Sequence, residues 1–336
     1  MRKYLKRSMV FILFILQFQA CNNTSRQETE ESSEAKNESK IPESGTFLST
    51  DEMDIFYQIK GNAKDTVIII HGGPGMDSEY MVADFKELSE EYTLIFYDQR
   101  GGGRSSLPDT TKNLEILLSI DKHVEDLEAL RNYFGLKKLN LIAHSFGPAL
   151  AVNYALTYST NVESMVFIGP IPPYMGNFFE RYDESMRSRL SDSELKALYD
   201  LNNEIIYGTD PVGACIEYWK IGLKPRIANG LSIEVIKGNC CAAPPEAIRY
   251  GYLYTGNVTF ASLGEWDYRP QLKEINIPTL VIHGEEESIP MDMVESWVEN
   301  GIPGSKLVSI EGAAHFPYAE KPTEVWNAIR GFYSDN

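Results

Sequence analysis

Leu139-Asn140-Leu141-Ile142-Ala143-His144-Ser145-Phe146-Gly147-Pro148-Ala149-Leu150 decides the fold of this chain. An apolar run stops at small residues and resumes as Ala151-Val152-Asn153-Tyr154-Ala155, the pattern of a short buried strand, a tight turn and a helix. Ser145 then sits at the bend, with its hydroxyl held out over the edge of a sheet. The form is G-x-S-x-G with Ala143 in the first glycine position, where the chief requirement is a small side chain for close packing of helix on strand. A serine in such a turn also serves as a helix N-cap, so the weight of a catalytic reading has to come from elsewhere in the chain.

Working outward, strands and helices alternate. Phe47 to Ile59 alternates in two short pieces and predicts an edge hairpin. Val67-Ile68-Ile69-Ile70 is β-branched throughout, as suits a parallel strand covered on both faces, and ends in His71-Gly72-Gly73-Pro74-Gly75. Residues 78–89 read as a helix and 93–97 as a strand. A glycine-rich turn follows, Asp98-Gln99-Arg100-Gly101-Gly102-Gly103-Arg104-Ser105, and then an amphipathic helix over 119–134. Strands at 165–168, 279–282 and 306–310 and a closing helix over 322–332 complete a mostly parallel, doubly wound α/β sheet with right-handed crossovers. Between the 165–168 and 279–282 strands the rhythm breaks. Residues 171–266 carry helical patches and many aromatics but no strand signal, and predict a helical cap over the carboxyl ends of the strands, where open α/β sheets bind ligands. The core is expected from 46–170 and 267–336.

The amino terminus reads as a targeting signal. A basic start, Met1-Arg2-Lys3-Tyr4-Leu5-Lys6-Arg7, precedes an apolar run of about ten residues, too short to span a bilayer, so residues 1–20 are expected to be a signal peptide. Gln19-Ala20-Cys21 resembles a bacterial lipobox, which implies cleavage before Cys21 and lipidation of its thiol. Residues 21–45 are polar and rich in Ser and Glu, the composition of a flexible tether reaching about 25–30 Å. The expected location is a bacterial cell envelope, with the membrane engaged through the lipid alone; a secreted protein with a disordered tail is the alternative. A formal charge of −17 argues against nucleic-acid or anionic-membrane partners. The cysteines, at 21, 215, 240 and 241, form no C-x-x-C pair, so neither a metal nor another cofactor is expected. A disulfide from Cys215 to Cys240 or Cys241 and a set of buried thiols both remain open.

Serine attack on a carbonyl requires a base, a group that orients the base, and oxyanion donors. His315, in Gly312-Ala313-Ala314-His315-Phe316-Pro317, follows the last strand on a loop of small residues and is the candidate base. After Val281-Ile282-His283-Gly284 come Glu285, Glu286 and Glu287; counting three residues past the glycine selects Glu287 as the orienting acid, with its neighbours as alternatives. The order Ser145, Glu287, His315 matches the chain order of α/β-hydrolase triads. The amides of Phe146 and of Gly73 are the oxyanion candidates, and a phosphate-loop reading of the 72–75 glycines fails because no Gly-Lys-Ser/Thr follows.

Together, His71-Gly72-Gly73-Pro74-Gly75, the 98–105 turn, Ala143-His144-Ser145-Phe146-Gly147 and the Glu287 and His315 loops resemble the proline iminopeptidase branch of the α/β-hydrolases over about residues 46–334. The resemblance implies a serine exopeptidase that releases an N-terminal proline or another small or apolar residue from a peptide, with acidic cap residues holding the free amine. Glu217 and Glu246 are the candidates for that role. Ala143, Phe146 and Glu287 stand where the branch usually has glycine, tryptophan and aspartate. The rival readings are an esterase, amidase or lactonase on the same machinery, and a non-catalytic binding lipoprotein.

Overall fold

The computed structural model describes residues 41–336 apart from 52, 106 and 108–111. The expected signal peptide, Cys21 and most of the tether lie outside the described residues. The first strand begins at Ser44, slightly before the expected start of the fold, because Ser44 and Gly45 already pair with Gln58 and Tyr57.

Eight strands form one sheet: β1 (Ser44–Leu48), β2 (Asp54–Lys60), β3 (Thr66–Ile70), β4 (Thr93–Tyr97), β5 (Leu139–His144), β6 (Val162–Ile168), β7 (Thr279–Gly284) and β8 (Lys306–Ile310). Their order is β1-β2-β4-β3-β5-β6-β7-β8, with the β1–β2 and β2–β4 pairings antiparallel and the rest parallel. Alternation along each buried strand feeds two cores. Ile68, Ile70, Leu141, Ala143, Met165 and Phe167 face the helices Ile120–Tyr133 and Gly147–Thr157. Val67, Ile69, Ile142, Val166 and Ile168 face the opposite layer, which includes Phe85 and the closing helix Pro322–Asp335 through Trp326 and Ile329. A sheet with both faces dry needs continuous apolar strands, which accounts for the unbroken Val67-Ile68-Ile69-Ile70 run.

From β3 the chain runs to β4 on one side and then returns to place β5 on the other. The crevice at such a reversal, above the carboxyl ends of β3 and β5, is the ligand position general to open α/β sheets. His71 and Ser145 begin the loops that flank it.

The expected helix over 78–89 is broken. Only Glu79–Val82 forms a helical turn, and a 3-10 turn follows at Leu88–Glu90. Both ends of the first turn are tied elsewhere: Ser78 gives its amide and hydroxyl to Asp98, and the Asp84 carboxylate turns to the amides of Lys237 and Gly238. Between β6 and β7 lie the helices Phe178–Ser188, Asp192–Tyr207, Pro211–Gly222, Pro245–Tyr250 and Gly256–Ser262, joined by turns. Cys215 is disulfide-bonded to Cys241, which fastens the third of these helices to the loop before the fourth, and Cys240 remains a free thiol.

Candidate active site

Ser145 occupies the turn between β5 and the helix Gly147–Thr157 with φ +59, a left-handed conformation that a non-glycine residue adopts at a cost. Two ladder-like bonds hold it there: its amide donates to Ile168 O (3.0 Å) and its carbonyl accepts from Ile171 N (2.9 Å). The neighbouring chain must come very close. A Cβ on Gly72 would lie 2.5 Å from the Ser145 Cβ, so the 71–75 loop can pass the serine only with hydrogen at that position.

His315 and Glu287 meet directly. The imidazole Nδ1 lies 2.7 Å from Glu287 Oε2, and both side chains are almost wholly withdrawn from solvent. Burial alone would raise the Glu287 carboxyl, but the His315 imidazole, His283 and the amide of Ile289 together hold it down to about 2, so it is a carboxylate over the whole working range. Glu286 turns away to the amide and side chain of Asn229, and Glu285 to the Ser309 hydroxyl. Gly169 links the pair to the serine. It follows Ile168, which holds the Ser145 amide, and a Cβ on it would lie 3.5 Å from both His315 Nδ1 and Glu287 Oε2.

Neighbours that the sequence reading did not assign fix the His315 loop. Glu320 accepts from the amides of Ala314 and Phe316, on either side of the histidine, and from Ala228 of the cap. His144, the residue before Ser145, forms a relay with Tyr80. The Gly72 amide donates to Tyr80 Oη (2.6 Å), Tyr80 Oη bonds His144 Nδ1 (2.7 Å), and His144 Nε2 bonds His315 O (2.8 Å). Because a carbonyl only accepts, Nε2 carries the proton and the tyrosine donates to Nδ1. Burial first, and then the charge of His315, depress the His144 pKa to about 3, so the ring stays neutral in this role. The relay ties the 72–75 loop to the His315 loop. Tyr80→Phe leaves the Gly72 amide without its partner, and is expected to cost about 1–3 kcal/mol of stability and to lower kcat more than it raises KM. Thermal unfolding and steady-state kinetics read both.

Since Tyr80 occupies the Gly72 amide, the next amide in the loop, that of Gly73 (φ +51), is the one left for a ligand. Phe146 is the N-cap of the helix Gly147–Thr157, its carbonyl accepting the Ala149 amide (2.9 Å), and so its own amide stands at the helix end that attracts negative charge. His71 locks this loop to the 98–105 turn, with Nε2 accepting the Gln99 amide (3.0 Å) while Gln99 Nε2 donates to His71 O (2.7 Å). In that turn Asp98 accepts from Ser78 and Arg104, and Arg100 is buried in a two-pronged pair with Asp126. The turn is a clamp beneath the site.

A family model for the alpha/beta hydrolase fold matches residues 65–199. Among solved structures, a proline iminopeptidase from Mycobacterium smegmatis superposes with a TM-score of 0.62, at 21% identity, over 87% of this chain and 100% of its own. A thermophilic esterase from Thermogutta terrifontis gives 0.61, at 23% identity, over 88% and 99%. The chain has the α/β-hydrolase fold. In sequence, the chain is 29% identical to a proline iminopeptidase of Heyndrickxia coagulans, over 79% of this chain and 89% of the relative. It is 26% identical to one of Saccharolobus solfataricus, over 82% and 86%.

The cap departs from the expectation for an amine site. Glu217 is exposed and paired with Lys220, and Glu246 is exposed in the first turn of the helix Pro245–Tyr250, where an acid suits the helix dipole. Both charges stay in water, which is cheaper than burial. From 171 to 266 every Asp and Glu is exposed except Glu194, which is half-buried and bonded to Lys224 and Ser191.

Beside the site, Asp77 shows the opposite behaviour. Burial, and then the nearby Asp98 charge, push its carboxyl up to about 7. A native pKa above the unfolded one means that the folded state binds the extra proton, so this group removes stability as pH rises from about 4 to 7. Asp77→Asn keeps an oxygen for the Glu79 amide, which Asp77 Oδ1 accepts at 2.9 Å, and removes the charge. The variant is expected to be more stable than the wild type at pH 8, by about 1–3 kcal/mol read from unfolding curves, and to differ little at pH 4.

Proposed function

We propose that the protein is a serine exopeptidase that releases an N-terminal residue, proline or another small or apolar one, from peptides through an acyl-enzyme. The observation that carries the reading is the buried Glu287–His315 pair, 2.7 Å apart, set around Gly169 beside the strained turn of Ser145. Similarity over most of the chain to proline iminopeptidases supplies the substrate class.

In this mechanism His315 takes the Ser145 proton as Oγ bonds to the scissile carbonyl carbon, and the amides of Gly73 and Phe146 receive the oxyanion. Collapse breaks the C–N bond, and His315 gives its proton to the departing amine. Water, deprotonated by the same imidazole, then releases the amino acid and restores the serine. Glu287 keeps the ring in the tautomer that presents a free nitrogen to the serine and stabilises the imidazolium. Tyr80 and His144 act as positioning residues.

We also propose that the domain is exported and held at a bacterial cell envelope by lipid on Cys21. The disulfide from Cys215 to Cys241 fits an oxidising compartment. Labelling with radioactive palmitate, abolished in Cys21→Ser, tests the anchor.

An esterase or amidase is the second reading, favoured by the lack of a buried carboxylate in the cap to receive a substrate amine. Chromogenic prolyl and alanyl amides, with and without N-acetylation, and short acyl esters separate the two. The exopeptidase reading predicts at least about a hundredfold loss of kcat/KM on acetylation, equivalent to roughly 2.7 kcal/mol. Equal turnover of blocked amides and free ones, with faster ester cleavage, would establish the esterase.

A further inference from the structure

Where a carboxylate was expected, the cap carries a cation. Arg226 follows the helix Pro211–Gly222 in a loop bolted to both arms of the acid–base pair: its carbonyl accepts the His315 amide (3.0 Å), and the preceding Pro225 carbonyl accepts the Ser288 hydroxyl (3.0 Å). Its guanidinium has no carboxylate partner among the described residues. One Nη1–H goes to the Gly222 carbonyl, and the guanidinium carbon lies 5.4 Å from the centre of the Trp219 ring. A Cβ on Gly222 would lie 3.4 Å from the Tyr218 ring edge and 3.5 Å from Arg226 Nη1, so the tyrosine forms another wall. Tyr182 approaches from the helix Phe178–Ser188 and bonds with the guanidinium, which also feels the charge of Glu287.

The donors in this cluster are in surplus. Trp219 Nε1 and Tyr252 Oη are buried with no well-formed hydrogen bond, their one polar interaction being with each other, and Tyr252 packs on Tyr218 at 5.5 Å between ring centres. Burial pushes the Tyr252 hydroxyl well above its usual pKa, so it stays a donor. Unspent donors around a guanidinium with remaining N–H groups, and no acid nearby but Glu287, which His315 already engages, match an anionic ligand with several acceptor oxygens.

We propose that Arg226, with Trp219 Nε1–H and the Tyr252 hydroxyl, seats the C-terminal carboxylate of a short peptide substrate. The proposal rests on the exopeptidase reading for the identity of the substrate. Because the Arg226 loop grips His315, the group that protonates the leaving amine, the seat lies on the leaving-group side. The preferred substrates are then dipeptides and tripeptides with a free acid terminus, and long chains or C-terminal amides are poor ones. Arg226 is a specificity residue; the bond-breaking step remains that of Ser145 and His315.

The test compares prolyl-alanine with prolyl-alanine amide. Wild type is expected to favour the free acid at least tenfold in kcat/KM, and Arg226→Gln to bring the ratio within twofold of unity, with Arg226→Lys retaining part of it. Calorimetric binding of the same pair to Ser145→Ala protein reads the seat without cleavage and should show the same preference, lost when Arg226→Gln is added. A melting temperature reports whether the glutamine variant is folded; if it is not, Trp219→Phe removes one donor and should lower the ratio severalfold. Equal binding of acid and amide, or a preference that survives Arg226→Gln in folded protein, overturns the seat and leaves the arginine a cap for the Gly222 carbonyl. Tighter binding of the acid without its cleavage by wild type sustains the seat and sinks the exopeptidase reading.

Discussion

Ser145→Ala is expected to lower kcat/KM by about 10⁴–10⁶ while leaving the fold intact, because the step lost is formation of the acyl-enzyme. The residual rate would come from the oxyanion amides and substrate binding, which do not need the hydroxyl. Stability should change little or improve. Ser145 is held at φ +59, and a side chain required to sit in a left-handed turn serves chemistry rather than folding. A variant with near-normal turnover would mean that another group attacks the carbonyl.

The second large effect falls on the carboxylate. Glu287→Gln keeps the size of the side chain but lets an amide face His315 Nδ1, which favours the wrong tautomer; kcat is expected to fall by about 10³–10⁴ with KM nearly unchanged. Glu285→Gln and Glu286→Gln should stay within a few-fold of wild type, since those side chains bond Ser309 and Asn229. Acid stability carries the same signature. The Glu287 carboxyl lies near 2 in the folded protein against an unfolded value near 4.5, so its contribution is fully present above pH 4.5 and is lost as pH falls towards 2. The glutamine variant should lose that part of the acid dependence, which unfolding curves between pH 2 and 6 would show.

The strands and the elbow were legible because local chemistry dictates them. Val67-Ile68-Ile69-Ile70 has no reading but a strand dry on both faces, and Ala143-x-Ser145-x-Gly147 needs small residues where a helix crosses a strand end, as the 2.7 Å approach of a Gly147 Cβ to Ile70 O shows. The partnership of His315 with Glu287 followed from position at successive strand ends. The broken 78–89 helix was not legible. Its apolar spacing suits a helix, and what breaks it are bonds that Ser78 donates to Asp98 and that Asp84 accepts from the Lys237 amide, both partners distant in sequence. The Tyr80–His144 relay was hidden for the same reason, since its members lie 64 residues apart. In the cap, Glu217 and Glu246 were chosen by residue type, and residue type does not say which side of a short helix faces inward. Arg226 carried one weak signal: a basic residue among Trp219, Tyr218 and a proline, in a region otherwise rich in exposed acids.

The central claim is that Ser145 becomes covalently acylated. Incubation of the protein with a fluorophosphonate, followed by intact mass measurement and peptide mapping, tests it most directly. The predicted result is one adduct per chain on the peptide containing Ser145, with hydrolysis lost in step with labelling and neither seen in Ser145→Ala. Hydrolysis that continues with Ser145 unmodified, or an adduct on a different residue, would contradict the account.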